Sequence, residues 1–337
     1  MIRINPLAIT LATVLNLLSV STVMAQNDRV LLETDRGPIY IELDPQAAPI
    51  TTENFLNYVN QGFYDGLIFH RVAANPAVVQ GGGFDRNYAL REPTQPNIIN
   101  EAMNGLLNLP RTIAMARQAE RNSANSQFYF NLVHNDFLDG DFAVFGKVIG
   151  GWATVEEMVA STTGVLFAPQ PQSTRLTRFE DTPVTPPQIK RAFQFDDYPI
   201  QAVHAGSWFD PNNSGVGFNI EVTNQASEDD QPIIVMYWYD FSQGNQIWLQ
   251  GNNGFEWGDS EVTVELLGVV NPNLQADFQM PPPRADYQTR GEITIRFENC
   301  QTGVFRYEVP GIGIGEIETV RLTLPDNSSC DRYEIDD

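Results

Sequence analysis

Apolar and polar residues alternate along Val30–Thr34 and again along Ile39–Asp44, on either side of Asp35-Arg36-Gly37. Period-two alternation buries one face of a strand, so this stretch predicts an antiparallel hairpin. At Thr51 the period lengthens. Phe55, Tyr58 and Val59 recur at helical spacing, Thr51 stands where a side-chain oxygen caps a first turn, and Glu53 sits near the positive end of the dipole. Gly62 then supplies a left-handed stop. Strand-like runs follow at Leu67–Val72, Val78–Gly81, Thr112–Ala116, Gln127–Leu132 and Ala143–Ile149, and Val155–Ala160 predicts a second helix with Val155, Met158 and Val159 on one face.

Residues 161–187 are rich in Pro, Gln, Ser and Thr, a linker-like composition. From Tyr198 onward the texture is β-rich: Gly217–Val222, Pro232–Phe241, Gln246–Gln250, Glu261–Leu267, Glu292–Phe297, Val304–Val309 and Thr319–Leu324, with Ser242-Gln243-Gly244-Asn245 as a hairpin loop. No internal repeat is evident. Trp208, Trp238, Trp248 and Trp257 all fall in this half, which reads as an antiparallel sandwich or small barrel.

A length of 337 residues, about twice a typical domain, implies two domains. Met1–Ala25 is a short apolar run with one early charge, Arg3, and it ends Val23-Met24-Ala25 with small residues where a signal peptidase reads. It predicts an exported protein, periplasmic or extracellular, cleaved before Gln26. No later stretch approaches the roughly 20 apolar residues of a span, so stable membrane insertion is not expected once the leader is removed. Residues 26–194 carry 18 acids against 13 bases, and residues 195–337 carry 24 against 6. With no basic stripe, nucleic acid is excluded as a partner, and a monomer is expected. Cys300 and Cys330 are the only cysteines. In an oxidising compartment an isolated pair predicts a disulfide.

Three segments carry the chemistry. They are Phe69-His70-Arg71-Val72 leading to Gln80-Gly81-Gly82-Gly83; Met115-Ala116-Arg117 leading to Ser126-Gln127-Phe128-Tyr129-Phe130; and Asn135-Asp136-Phe137-Leu138-Asp139 leading to Ala143-Val144-Phe145-Gly146-Lys147-Val148. Their order and spacing resemble the active-face strands and loops of a cyclophilin, a peptidyl-prolyl cis/trans isomerase. Asp181-Thr182-Pro183 through Ile189-Lys190-Arg191-Ala192 resembles the approach to that family's last strand, so the resemblance covers about residues 28–195. It implies an all-β protein. An eight-stranded antiparallel cyclophilin-like barrel with two capping helices would occupy 26–195, and an acidic β domain of unknown role, 196–337, would follow. That second domain resembles, from its Gly206-Ser207-Trp208 start, a module appended to other secreted bacterial proteins.

The resemblance also implies roles. Arg71 would be the cationic donor to the prolyl nitrogen, with Gln80 and Gln127 holding the substrate backbone. Ala116 and Arg117 would bind the residues before proline, and Ala77, Val78, Tyr129, Phe137, Leu138 and Phe142 would line the proline pocket. Proline-containing polypeptides are the implied partners, and no cofactor or metal is required. The chain departs from the family in five ways: an extra residue between Arg71 and Gln80, Ala77 where a floor phenylalanine is usual, Val78 for its methionine neighbour, Tyr129 for a wall phenylalanine, which adds a hydroxyl in need of a partner, and Phe142 where His or Tyr is usual. Loss of a ring at Ala77 would weaken the grip, leaving a proline-binding chaperone or adhesion module as the alternative to an isomerase. Other constellations are weaker. His70 reads as a buried, hydrogen-bonded imidazole, and the triple glycine as a close backbone approach. Glu228-Asp229-Asp230 reads as a solvated loop and the tryptophans as core rather than sugar platforms.

Overall fold

Thr34 sets the first turn: its hydroxyl donates to Gly37 O at 2.7 Å and accepts from Arg36 N at 3.0 Å. The hairpin it closes joins β1 (Arg29–Thr34) and β2 (Gly37–Leu43) in register from Arg29↔Glu42 to Thr34↔Gly37. The computed structural model describes residues 28–170, 176–223, 231–242, 245–269, 287–324 and 330–335. The leader sequence and the Glu228-Asp229-Asp230 run lie outside the described residues.

Helix α1 (Pro49–Asn60) begins two residues before the expected Thr51 cap, on a proline at its first turn, and the Thr51 side chain does not cap it. Instead the Glu101 carboxylate accepts from Ile50 N at 3.2 Å and from Thr51 N at 2.8 Å, which places an anion at the positive helix end. Gly62, at φ 61°, ends the helix as expected.

The run expected as one strand, Leu67–Val72, divides. Residues of β3 (Leu67–Ile68) pair with β6 (Phe84–Asp85), whereas β4 (Arg71–Ala74) forms a hairpin with β5 (Ala77–Gly81). Phe69 N donates to Pro187 O at the break, 2.8 Å, so the chain changes partners there. Next come β7 (Thr112–Met115), β8 (Phe128–Asn131), β9 (Val144–Gly150), α2 (Trp152–Val159), β10 (Thr163–Pro169), β11 (Leu176–Pro183) and β12 (Ile189–Phe195). Eight of these strands form one antiparallel sheet in the order β12-β1-β2-β9-β7-β8-β5-β4, a half-barrel around Phe55, Phe69, Phe128, Phe130 and Phe145. The linker-like 161–187 region holds a two-stranded hairpin, β10–β11.

The second half is a closed antiparallel barrel of eight strands. They are β13 (Gly206–Phe209), β14 (Gly217–Thr223), β15 (Ile233–Ser242), β16 (Asn245–Gly254), β17 (Glu261–Val269), β18 (Tyr287–Phe297), β19 (Thr302–Val309) and β20 (Gly313–Arg321). Strand β13 lies outside the expected set, and β20 starts six residues before its expected position. Trp208 and Trp238 are core, while Trp248 is 60% exposed and packs edge-on to Tyr239 at 4.7 Å. The two halves meet through Gln201 Nε2 donating to Tyr40 Oη at 2.8 Å and through the Arg191 guanidinium 3.6 Å from the Trp257 ring centroid.

Cys300 and Cys330 form the expected disulfide, closing a sequence separation of 30. Loop entropy alone assigns it about 3 kcal/mol. Reduction by dithiothreitol is therefore expected to lower the urea midpoint of the barrel while leaving the first domain's transition in place. Two-phase denaturation followed by tryptophan fluorescence checks this.

Candidate active site

Directly opposed residues of an antiparallel sheet share a face. Arg71 opposes Gln80, Gln80 opposes Tyr129, and Tyr129 opposes Ala114. All four rise from the side away from the phenylalanine core, and period two adds Ala73 and Val78. There a second apolar cluster forms from Ala73, Val78, Ala114, Tyr129, Leu138 and Val144, with Ala116 and Phe142 half-buried against it. It is an apolar patch on the same face of the sheet as Arg71.

The glycines set the approach. Gly82 takes φ 83°, and a Cβ on Gly83 would stand 2.7 Å from the Gln127 side chain. Only bare backbone lets β5 turn away beneath Gln127, which brings Gln80 Nε2 to 3.1 Å from Gln127 Oε1. The two glutamines thus act as one polar wall. They also border a cleft of about 350 Å³ that Leu90, Pro93, Ala116 and Asn125 help to line.

Arg117 lies with its guanidinium 4.5 Å from the Phe142 centroid and donates from Nε to Asp141 O at 3.1 Å and from Nη1 to Gln118 O at 2.9 Å. Those contacts occupy the fork and prop Phe142 from behind. Phe137 is 59% exposed at the outer margin, whereas Leu138 is buried. Alternation sets Ala77 with Val79 on the core side, so its methyl does not face the patch. Its backbone is clamped: Ala77 N donates to Asn135 Oδ1 and Asn135 Nδ2 donates to Ala77 O, each at 3.1 Å.

Sequence reasoning gave Tyr129 no partner for its hydroxyl. The structure supplies Asn108, fully buried, which accepts from Tyr129 Oη at 2.8 Å and from Asn131 Nδ2 at 3.2 Å. Asn108 in turn donates from its backbone N (2.7 Å) and Nδ2 (3.1 Å) to Asp139 Oδ1, and His134 Nε2 lies 2.9 Å from Asp139 Oδ2. Burial raises the Tyr129 phenol, and the nearby Asp139 charge raises it further. Burial pushes the Asp139 carboxyl up, but the Asn108 and His134 hydrogen bonds outweigh it and hold the group below its usual range. Nothing in the sequence singles out Asn108, and Asn135, though it opens the third segment, is given no role there; both sit in loops where an asparagine usually serves a turn.

We expect Asn108→Ala to cost about 2–3 kcal/mol, because it strands the Tyr129 hydroxyl in the interior and removes the side-chain donor to Asp139, whereas Asn131 Nδ2 keeps Thr112 Oγ1. Tyr129→Phe should cost about 1 kcal/mol, since Asn131 still satisfies Asn108. Urea midpoints of the two variants give the ranking, and equal losses would contradict it.

His70 is buried as expected, its ring 4.7 Å from Phe84 and edge-on to it. Among the described residues its Nδ1 has no hydrogen-bond partner, contrary to expectation. Burial first, then the Arg71 charge, push the imidazole down to about 3, so it is neutral near pH 7. Arg71 itself lies 3.7 Å, Nη2 to Oδ2, from Asp181 of β11.

Comparison with known proteins bears on this arrangement. The sequence profile described as cyclophilin type peptidyl-prolyl cis-trans isomerase matches residues 29–190. A peptidyl-prolyl cis-trans isomerase A of Dickeya dadantii is 46% identical over 153 residues, covering 43% of this chain and 80% of that protein. Peptidyl-prolyl cis-trans isomerase B of Escherichia coli is 41% identical over 143 residues, 40% of this chain and 86% of its own. Among solved structures, a cyclophilin from Hirschia baltica aligns with a TM-score of 0.38 at 17% identity, covering 63% of this chain and 80% of that one.

Proposed function

Since the chain belongs to the cyclophilin-type family and is a peptidyl-prolyl cis-trans isomerase, we propose that Arg71 is its electrophilic donor and that its clients are exported polypeptides. The amide barrier, about 18–20 kcal/mol, comes from delocalisation of the nitrogen lone pair into the carbonyl. Uncatalysed exchange takes tens of seconds, so millisecond turnover requires lowering the barrier by about 6 kcal/mol. A cation aimed at the prolyl nitrogen localises the lone pair and favours the twisted, singly bonded state. Arginine suits this task because it stays protonated and offers a rigid array of donors.

The observation that carries the reading is the shared face. Arg71 and Gln80 stand side by side across β4–β5, and the apolar patch of Val78, Tyr129, Leu138 and Phe142 lies on the same face. The proline ring would sit against that patch, where exclusion of water strengthens the guanidinium's field. Gln80 and Gln127 would hold the substrate backbone, with the residues before proline running past Ala116 into the neighbouring cleft. No covalent intermediate is involved.

The leader sequence and the Cys300–Cys330 disulfide support export to an oxidising compartment. A protease-coupled assay on a Xaa-Pro peptide tests catalysis, and N-terminal sequencing of the processed protein tests export. Turnover with a mature chain starting at Gln26 is the expected result. Binding of the peptide without turnover would instead make the chain a proline-segment chaperone.

A further inference from the structure

Asp181 is the feature of the site that the reaction does not call for by itself. It lies in β11, whose pairing with β10 slips between Gly164 and Leu166, so that Glu180 and Asp181 together stand opposite Val165. At this bulge Asp181 takes φ 53°, in the left-handed region that residues with a side chain rarely visit. A bulge re-aims the side chain it carries, and strain of this kind collects at functional sites. Here the re-aimed carboxylate ends 3.7 Å from the Arg71 guanidinium.

The hairpin is fixed on both sides of that point. Thr182 Oγ1 donates to His70 O at 3.1 Å, one residue before Arg71. Phe179 is buried edge-on against Phe84 and lies over Tyr88 at 5.1 Å. On the partner side, Gln170 Nε2 donates to Tyr88 O at 2.7 Å and its Oε1 accepts from Leu90 N at 3.1 Å. Packing therefore fixes the backbone that carries Asp181 relative to β4, and the short side chain, 46% exposed, reaches Arg71 from that fixed point. The Arg71 side chain is the less exposed of the two at 30%, but it is long, with more rotamers open to it than an aspartate has.

We propose that the β10–β11 hairpin is a positioning device for catalysis. Asp181 is a positioning residue that holds the Arg71 guanidinium in one orientation before substrate arrives, so the donor is not ordered at the cost of rate as the amide twists. This rests on the reading of Arg71 as the donor. It also explains why a strained left-handed residue persists in a strand where an asparagine or glycine would fit more easily.

Asp181→Asn is the clean test, because asparagine accepts the same backbone conformation and shape while losing the charge. For a partly exposed pair of this kind we expect kcat/KM to fall about two- to five-fold at low salt, in kcat rather than KM. The wild-type rate should sink toward the variant's as sodium chloride approaches 1 M, and the variant's should stay flat. Wild-type kcat at low salt in Asp181→Asn would overturn the proposal. A loss that persists unchanged at 1 M salt alongside a lowered unfolding midpoint would also overturn it, since it would mark a purely structural role. Wild-type turnover that survives Arg71→Ala would remove the donor reading itself, a separate outcome read from a separate variant.

Discussion

Arg71→Ala is expected to lower kcat/KM for a Xaa-Pro peptide by about 10²–10³-fold and to move the unfolding midpoint little. The size follows from what is removed. One preorganised charged donor beside an apolar patch commonly accounts for that factor, whereas the ion pair to Asp181 is partly exposed and contributes little to stability. Neighbouring groups leave no substitute. His70 is neutral and buried, and the Arg117 fork is taken up by Asp141 O, Gln118 O and the Phe142 ring. Binding should survive, because Val78, Tyr129, Leu138 and Phe142 remain. A variant that keeps more than about a tenth of the wild-type rate would show that the patch alone performs the catalysis.

Acid is expected to destabilise both domains as pH falls below about 6.5, with the loss at His70 running down to about pH 3 and starting before most carboxylates titrate. Each domain buries one histidine. His70 is pushed down to about 3 by burial and by Arg71, and His204 is held well below the usual range by burial and by Arg321. His204 is also stacked on Phe297 at 3.9 Å, with its Nδ1 accepting from Gln201 N. A depressed folded-state value means the unfolded chain takes up the proton first. The stabilisation is therefore complete above about pH 6.5 and is lost as pH falls, at about 1.4 kcal/mol per pH unit for each imidazole. Asp139, also depressed, adds its loss only at lower pH. Urea midpoints at pH 7.5, 6 and 5 should fall accordingly, and His70→Gln should flatten the slope of the first domain. An unchanged slope in that variant would contradict the assignment.

Much of the first domain is legible in the sequence because its signals are local. Alternation gives β1 and β2, a glycine ends α1, and the Gln80-Gly81-Gly82-Gly83 run demands a close backbone approach that Gly82 and Gly83 make. What escapes the sequence is settled at a distance. Glu101 caps α1 from about 50 positions away, so Thr51 looks like the cap when read alone. Asn135 clamps the Ala77 backbone across 58 positions, a contact that no local pattern around Ala77 reveals. The β10–β11 hairpin hides behind a proline- and serine-rich composition. The position of Asp181 depends on a bulge whose register no single-strand pattern reveals.

In the second domain the first strand pairs with the last, Trp208↔Arg321, so the ring has no start or finish. An unfolded chain presents unpaired amides and carbonyls that can add to an open sheet edge, and a ring in which every strand has two neighbours offers no such edge strand. Among the described residues, no strand of this domain stands at a sheet edge where another could add. Any unfolded polypeptide it touches must be met by side chains on its outer wall, such as Tyr239 and Trp248, and it can be released without unzipping a ladder.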